Sequence, residues 1–401
     1  MKILLLCNKS PYPPSEGGPI AMNMMIEGLL SAGHKVKIIA LNSCKYNTDI
    51  ESIPASYRNE TDIELVYTNL RINPFRALIC FLRNRSYHLY RFAKGSWLSN
   101  VEALLERESF DIVQLETLFM APAIPIIKRL SSARIVLRAH NIEHLIWQRT
   151  AAATKNPLKK LYLLQLASSL RKYELNVFRT VDGVAAITPA DALFISKSAP
   201  DTPVVSIPFG VDTTKIVPSE GDIPESLYHI GSMDWIPNQE GIRWLLTDVW
   251  PLIIKQNPVA QLHLAGRNMP EWLSSLNIEG VTVHGEVQSA IDFIEENGVM
   301  VVPLLSGSGI RIKIIEAMTL GRPVLTTSIG AEGIGYTEGQ ELAIADTAEL
   351  FAAKALHLIA NKELRTQMGR QARELITDQH HRPKLLVHLE SFYRSLIKRH
   401  K

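Results

Sequence analysis

Residues 303–335 read PLLSGSGIRIKIIEAMTLGRPVLTTSIGAEGIG, and the run follows the apolar stretch Val299–Val302. A β-strand closed by Pro303 gives way to a small-residue turn, Ser306-Gly307-Ser308-Gly309. A helical pattern then runs from Ile310 to about Leu320, ended by Gly321, and Pro323 opens the next strand. Strand, glycine turn and helix start together present bare backbone N–H groups, with the helix dipole behind them, to an anion. Arg311 and Lys313 sit where a helix ordinarily prefers acids. Positive charge there costs stability unless an anion binds, so the pattern points to a phosphate.

The turn is neither of two familiar phosphate loops. Gly307-Ser308-Gly309 lacks the third glycine of a dinucleotide fingerprint, Ile312 standing in its place, and no Gly-Lys-Ser/Thr follows. Glu316 lies among Ile314, Ile315, Ala317 and Met318, one to two turns into the helix. A carboxylate so placed can accept hydrogen bonds from the vicinal hydroxyls of a ribose. The plain alternative is an ion pair with Lys313 at i, i+3 spacing.

The block Ser306–Pro323 with Gly330-Ala331-Glu332-Gly333 resembles the nucleotide-sugar signature of retaining glycosyltransferases of the GT-B fold, glycosyltransferase family 4. In that family two glutamates eight positions apart hold the donor, the second on the ribose. The resemblance places Glu316 in the second position and Ser308 in the first, a departure from the family's pattern. A neutral hydroxyl binds a sugar hydroxyl more weakly than a carboxylate does. The resemblance implies an α/β chain of two Rossmann-like domains facing across a cleft, with the last helix crossing back to the first domain.

At 401 residues the chain exceeds one typical core, which agrees with two domains. Cys7, Cys44 and Cys80 are unevenly placed and form no Cys-x-x-Cys, so neither a disulfide framework nor a zinc ribbon is expected. Ile3–Cys7 is too short for a signal-peptide core, no apolar run approaches a membrane span, and a cytoplasmic location is expected. Residues 1–200 carry 25 Lys and Arg against 16 Asp and Glu; residues 201–401 carry 18 against 24. A net +9 half joined to a net −6 half suggests that the first meets something anionic.

In the first half, strands are predicted at Lys2–Cys7, His34–Leu41, Ile63–Tyr67, Asp111–Leu115, Arg134–Ala139, Gly183–Ile187 and Val204–Ile207. Helical patterns alternate with them, the signature of a parallel sheet covered on both faces. Gly17 and Gly18 are read in the loop before a helix starting at Pro19, a place where ligands bind. Arg71–Trp97 interleaves Arg71, Arg76, Arg83, Arg85, Arg91 and Lys94 with aromatics, and 156–180 adds lysines and arginines. That pattern suits either a solvated helix pair or contact with an anionic membrane surface at the inner face of the plasma membrane. No nucleic-acid partner is expected.

The first domain is expected to be 1–210, completed by a helix at about 384–401, with 213–224 as linker and 211–383 as the donor-binding domain. Second-half strands are predicted at Leu227–Ile230, Ala260–Ala265, Val281–His284, Val299–Val302, Val324–Thr327 and Leu342–Ile344, and helices from Thr347 with a break at Pro383.

His140 ends the strand 134–139, and it resembles the family's active-site histidine; Asn141 and Glu143 beside it are acceptor candidates. His140 to His144 also spells His-x-x-Glu-His, the inverted zinc-peptidase motif, which requires both histidines on one helix face. In the second half, Ser232 and Asn238 follow a strand where many family members carry an Arg and a Lys for the diphosphate; Arg243 lies further along. Arg311, Lys313 and the N–H groups of Ser308, Gly309 and Ile310 are expected to supply part of that charge. Arg267 and Gly285-Glu286-Val287, at two further strand ends, are expected to wall the nucleotide base. His140, Glu316 and Arg311 are the catalytic candidates. His380-His381 is read as a solvated helix end. No metal and no cofactor are expected, the nucleotide-diphosphate sugar being a substrate and a glycan or glycolipid the acceptor. A non-catalytic partner subunit of the same fold is the alternative.

Overall fold

The first unit is built on β1 (Lys2–Cys7), β2 (Lys35–Asn42), β3 (Glu64–Tyr67), β4 (Ile112–Glu116), β5 (Arg134–Ala139), β6 (Gly183–Ala186) and β7 (Val204–Ser206). They pair in parallel in the order β3-β2-β1-β4-β5-β6-β7. The strands read as continuous apolar runs because both faces are buried. Leu4, Leu6, Val113, Leu115, Ile135 and Leu137 pack into one core. Their neighbours Ile3, Leu5, Cys7, Ile112 and Val136 pack into another, against Met22, Met25, Ile26 and Leu29 of the helix Gly17–Ser31. The computed structural model from which these observations come describes residues 1–14, 17–218, 221–307 and 309–399.

The C-terminal helix Arg382–Lys398 belongs to this unit: Leu385, Leu386, Leu389, Tyr393 and Leu396 sit in that second core. The helical run does break before Pro383: one helix ends at Gln379, and Pro383 lies in the first turn of the next, where the missing N–H costs nothing. The compact units are therefore 1–210 with 383–401, and 211–382.

The second unit holds β8 (Leu227–Ile230), β9 (Leu262–Ala265), β10 (Val281–Gly285), β11 (Val299–Val302), β12 (Val324–Thr326) and β13 (Ala343–Ile344). All pair in parallel, in the order β10-β9-β8-β11-β12-β13. Winding reverses between β8 and β11 here, and between β1 and β4 in the first unit. Loops at the carboxyl ends of those strand pairs therefore splay apart and leave a crevice for a ligand.

Within the predicted linker 213–224, the Thr213 and Ile216 carbonyls accept from the Arg373 guanidinium, and Asp212 just before it pairs with Arg382 at 3.1 Å. One expectation is corrected. His380 is not solvated but 2% exposed, and its carbonyl accepts from the Val211 N–H at 2.8 Å.

Candidate functional site

The loops that leave β8, β9 and β10 are stitched into one surface. Gly231 N–H donates to Ala265 O at 3.1 Å, Met233 N–H to Arg267 O at 2.9 Å, and Gly266 N–H to Gly285 O at 2.7 Å. The approach demands glycine: a Cβ on Gly266, at φ +150°, would lie 1.7 Å from Gly231 O. Gly285 and Val287 are half-buried at this edge, Glu286 is exposed and Arg267 half-buried.

Next to it, the loop after β11 leads into the helix Ile312–Thr319. Gly307 has φ +115° and leaves room for the Arg311 guanidinium, which lies over the Trp235 ring at 5.4 Å. Gly309 also takes a left-handed φ, +84°. The helix begins two residues later than its pattern predicts, so Ile310 lies in the loop and Arg311 occupies the cap position, with no side-chain cap and no acid in the first turn. Ser308 lies outside the described residues.

Lys313 donates to Asn238 Oδ1 at 2.8 Å and to His229 Nε2 at 3.2 Å, rather than pairing with Glu316. His229 donates from Nδ1 to the Val301 carbonyl at 2.8 Å, which leaves Nε2 as the acceptor and the ring neutral. Burial, and then the neighbouring Lys313, hold His229 well below its ordinary value. Burial brings Lys313 down to about 7, helped by Arg311 and opposed by Glu316. Burial likewise pushes Glu316 up to about 7, opposed by Lys313. Glu316 itself makes no side-chain hydrogen bond or ion pair among the described residues, so its acceptor capacity is open.

Asn238 is a positioning residue in this geometry: its Nδ2 donates to Ser232 O at 2.7 Å while Oδ1 holds Lys313. The Ser232 hydroxyl donates to Asp234. Arg243 is stacked 3.7 Å from the Trp272 ring centroid, which accounts for its guanidinium.

In the first unit, His140 Nε2 bonds Glu116 Oε2 at 2.7 Å. Glu116, 1% exposed at the end of β4, was not singled out from the sequence. Only the β4–β5 register, which sets Glu116 opposite Arg138, reveals the contact. Arg138 Nε lies 3.8 Å from the same carboxylate oxygen. Gln114 Nε2 donates to Glu116 Oε1 at 2.6 Å, and Tyr393 of the C-terminal helix donates to Gln114 Oε1. Burial alone would raise Glu116, but the His140 bond, Arg138 and Gln114 outweigh it and hold the carboxyl below its ordinary range. An ionised carboxylate thus fixes the imidazole's orientation, as in oriented catalytic histidines.

Gly17 and Gly18 are not in a loop but form the first turn of the helix Gly17–Ser31. The helix Glu143–Ala153 starts after His140, so His140 and His144 do not share a helix face as the zinc motif requires. Glu174, 1% exposed, accepts the Glu143 and His144 N–H groups at 2.8 and 3.1 Å and His144 Nδ1 at 2.6 Å. Among the described residues no group of three or more His, Cys, Asp or Glu converges as metal ligands would.

Burial, and then Glu174, push Glu143 up to about 8, with an Asn141 hydrogen bond opposing. The folded state thus keeps a proton that the unfolded chain releases above about 4.5, and stability falls as pH rises from about 4.5 to 8. Glu143→Gln is expected to flatten that slope: melting temperature well above wild type at pH 9, nearly equal at pH 4, read by calorimetry.

Residues 224–361 match the family described as Glycosyl transferases group 1. The whole chain is similar to sucrose-phosphate synthase from Thermosynechococcus elongatus, with TM-score 0.73, 15% identity and 99% of each chain covered. It is similar also to HepE of Anabaena, solved in complex with UDP-glucose, with TM-score 0.66, 13% identity, and 98% of this chain and 100% of that one covered. The fold is GT-B. An uncharacterized 44.6 kDa protein in the cps region of Klebsiella pneumoniae is 26% identical over 381 residues, 90% of this chain and 91% of that protein. Together the domain match and the fold support a glycosyltransferase. Among the described residues, no helix is long and apolar enough to cross a membrane.

Proposed function

We propose that the chain is a retaining, metal-independent glycosyltransferase that moves a sugar from a nucleotide-diphosphate sugar to a hydroxyl of a glycan or glycolipid. The observation that carries this reading is Glu316. It is a half-buried carboxylate with open acceptor capacity, one turn inside a helix whose start holds Lys313 and Arg311 and no acid. An acid beside two cations, in apolar surroundings, is an expensive arrangement that a ribose and a diphosphate relieve together.

In this reading the second unit holds the donor. Glu316 accepts from the ribose hydroxyls. Arg311, Lys313 and the N–H groups of Gly309 and Ile310 meet the diphosphate as charge builds on it. The C1–O bond to phosphate breaks while the acceptor oxygen bonds to C1 on the same face, giving retention and releasing the nucleoside diphosphate and a proton. His140, held by Glu116, with Asn141 and Glu143 beside it, serves the acceptor side. The cps-region relative supports a place in surface-polysaccharide assembly; the inner face of the plasma membrane is the proposed location. UDP-sugars are the first donors to try, since HepE was solved with one. Incubation of the purified chain with sugar-nucleotides and lipid-linked saccharides, read by proton NMR of the new anomeric linkage, is expected to give the donor's own configuration. An inverted product would overturn retention, and absence of transfer with every donor would favour the partner-subunit reading.

A further inference from the structure

The helix Pro74–Leu82 lays its apolar stripe outward. Phe75 is 71% exposed and Leu82 74%, with Leu78 at 53%, and Ile72 just before the helix is also bare. The first turns of the helix Pro157–Thr180 do the same with Leu158 and Leu161. The two adjoin: Phe81 stacks on Tyr162 at 6.0 Å, and Gln165 Nε2 donates to Asn84 Oδ1 at 3.0 Å. Amphipathic helices in a soluble core face the other way, and contiguous bare apolar surface of this kind marks an interaction site.

What covers it is written in the charge. Residues 65–101 contain six Lys or Arg and no Asp or Glu, and residues 144–173 again contain six and none. The rest of the chain, with 31 basic against 40 acidic residues, is net −9. Arg76, Arg83, Lys159 and Lys160 are exposed beside the stripe, and none of the four is in an ion pair among the described residues. A cavity of 620 Å³ continues the surface along the second helix, with Asn84 common to it and to the Gln165 bond, and with Arg85, Lys172 and Tyr173 in its wall. A protein partner need not be uniformly acidic. A leaflet of anionic lipid is, and it offers hydrocarbon just beneath a layer of phosphate. Apolar side chains flanked by cations fit that layering.

We infer that this face, the outward stripe of 72–82 with the start of the 157–180 helix, docks the chain on an anionic lipid bilayer. The apolar side chains enter the acyl boundary, and the cations and the cavity wall meet lipid phosphates. The inference deepens the membrane-face reading above, but it stands or falls without the transfer reaction.

The test is co-sedimentation of the full chain with vesicles of phosphatidylcholine alone or with 30% phosphatidylglycerol (roughly the anionic content that gives charge attraction a clear signal), with no sugar donor present. Binding to the anionic vesicles only, weakening with salt, is expected. Phe75→Glu/Leu82→Glu and, separately, Lys159→Glu/Lys160→Glu are each expected to weaken partitioning by about tenfold or more. All four positions are exposed, so unchanged melting temperatures will show that the variants fold. Three results would overturn the inference: no sedimentation with anionic vesicles at low salt, variants that bind as wild type does, or a stripe closed by a second copy, seen as a dimer that Phe75→Glu/Leu82→Glu dissociates.

Discussion

Glu316→Gln is expected to be more stable than wild type at pH 8 while binding nucleoside diphosphate about a hundredfold more weakly, as the loss of charge-assisted hydrogen bonds to two hydroxyls implies. The two effects share a cause. Burial lifts the folded-state carboxyl to about 7, so the folded chain binds a proton that the unfolded chain has released between about 4.5 and 7. Stability therefore declines as pH rises through that window, and by pH 8 the desolvated charge costs up to roughly 3 kcal/mol. Glutamine removes that cost and with it the ionic acceptor for the ribose. Lys313 runs in the opposite sense: its folded value, about 7, lies below the unfolded one, so its burden is present at low pH and fades as pH rises above 7. Calorimetric melting at pH 8, paired with nucleotide titration, reads both effects. A variant less stable than wild type with unchanged affinity would mean that Glu316 is a structural acid.

The second large effect belongs to Glu116. Glu116→Gln keeps an acceptor oxygen near His140 Nε2 but removes the negative charge that faces His140 and Arg138. Transfer is expected to fall about a hundredfold in kcat, within the range ascribed to positioned proton-transfer groups, with nucleotide affinity unchanged because the donor residues lie in the other unit. The decisive readout is rescue by Glu116→Asp, which keeps the charge beside His140 and is expected to recover part of the lost kcat. Glu116→Ala is the harsher change, since it leaves Arg138, 1% exposed, without its nearby carboxylate. An unchanged kcat in Glu116→Gln, or no recovery in Glu116→Asp, would reduce the contact to packing.

These predictions also show where sequence reading stops. The strands β1 to β13 are legible because buried parallel strands are unbroken apolar runs bounded by turns, and Pro303, Gly321 and Pro323 punctuate the deciding helix. Glu316 is legible because it is a lone acid in an apolar helix. Glu116 is not: its role arises from register between β4 and β5, 24 positions from His140. Glu174 is hidden likewise, reaching back from a later helix to cap the one that begins at Glu143. Gly17-Gly18 misled because a glycine pair ordinarily marks a loop. Arg243 and His380 could be placed only once Trp272 and the strand of chain at Val211 were seen against them.

The central claim is that the second unit carries a nucleotide-sugar site built on Glu316 and Lys313. The most direct measurement is isothermal titration of UDP, GDP, ADP, dTDP and CMP into the wild-type chain, repeated at pH 6, 7 and 8 with whichever binds. The account predicts one preferred diphosphate, tightest near pH 7. Below that, Glu316 must release a proton to accept from the ribose, and above it Lys313 must take one up to meet the phosphates. No binding at millimolar nucleotide, or an affinity flat across the three pH values, would contradict it.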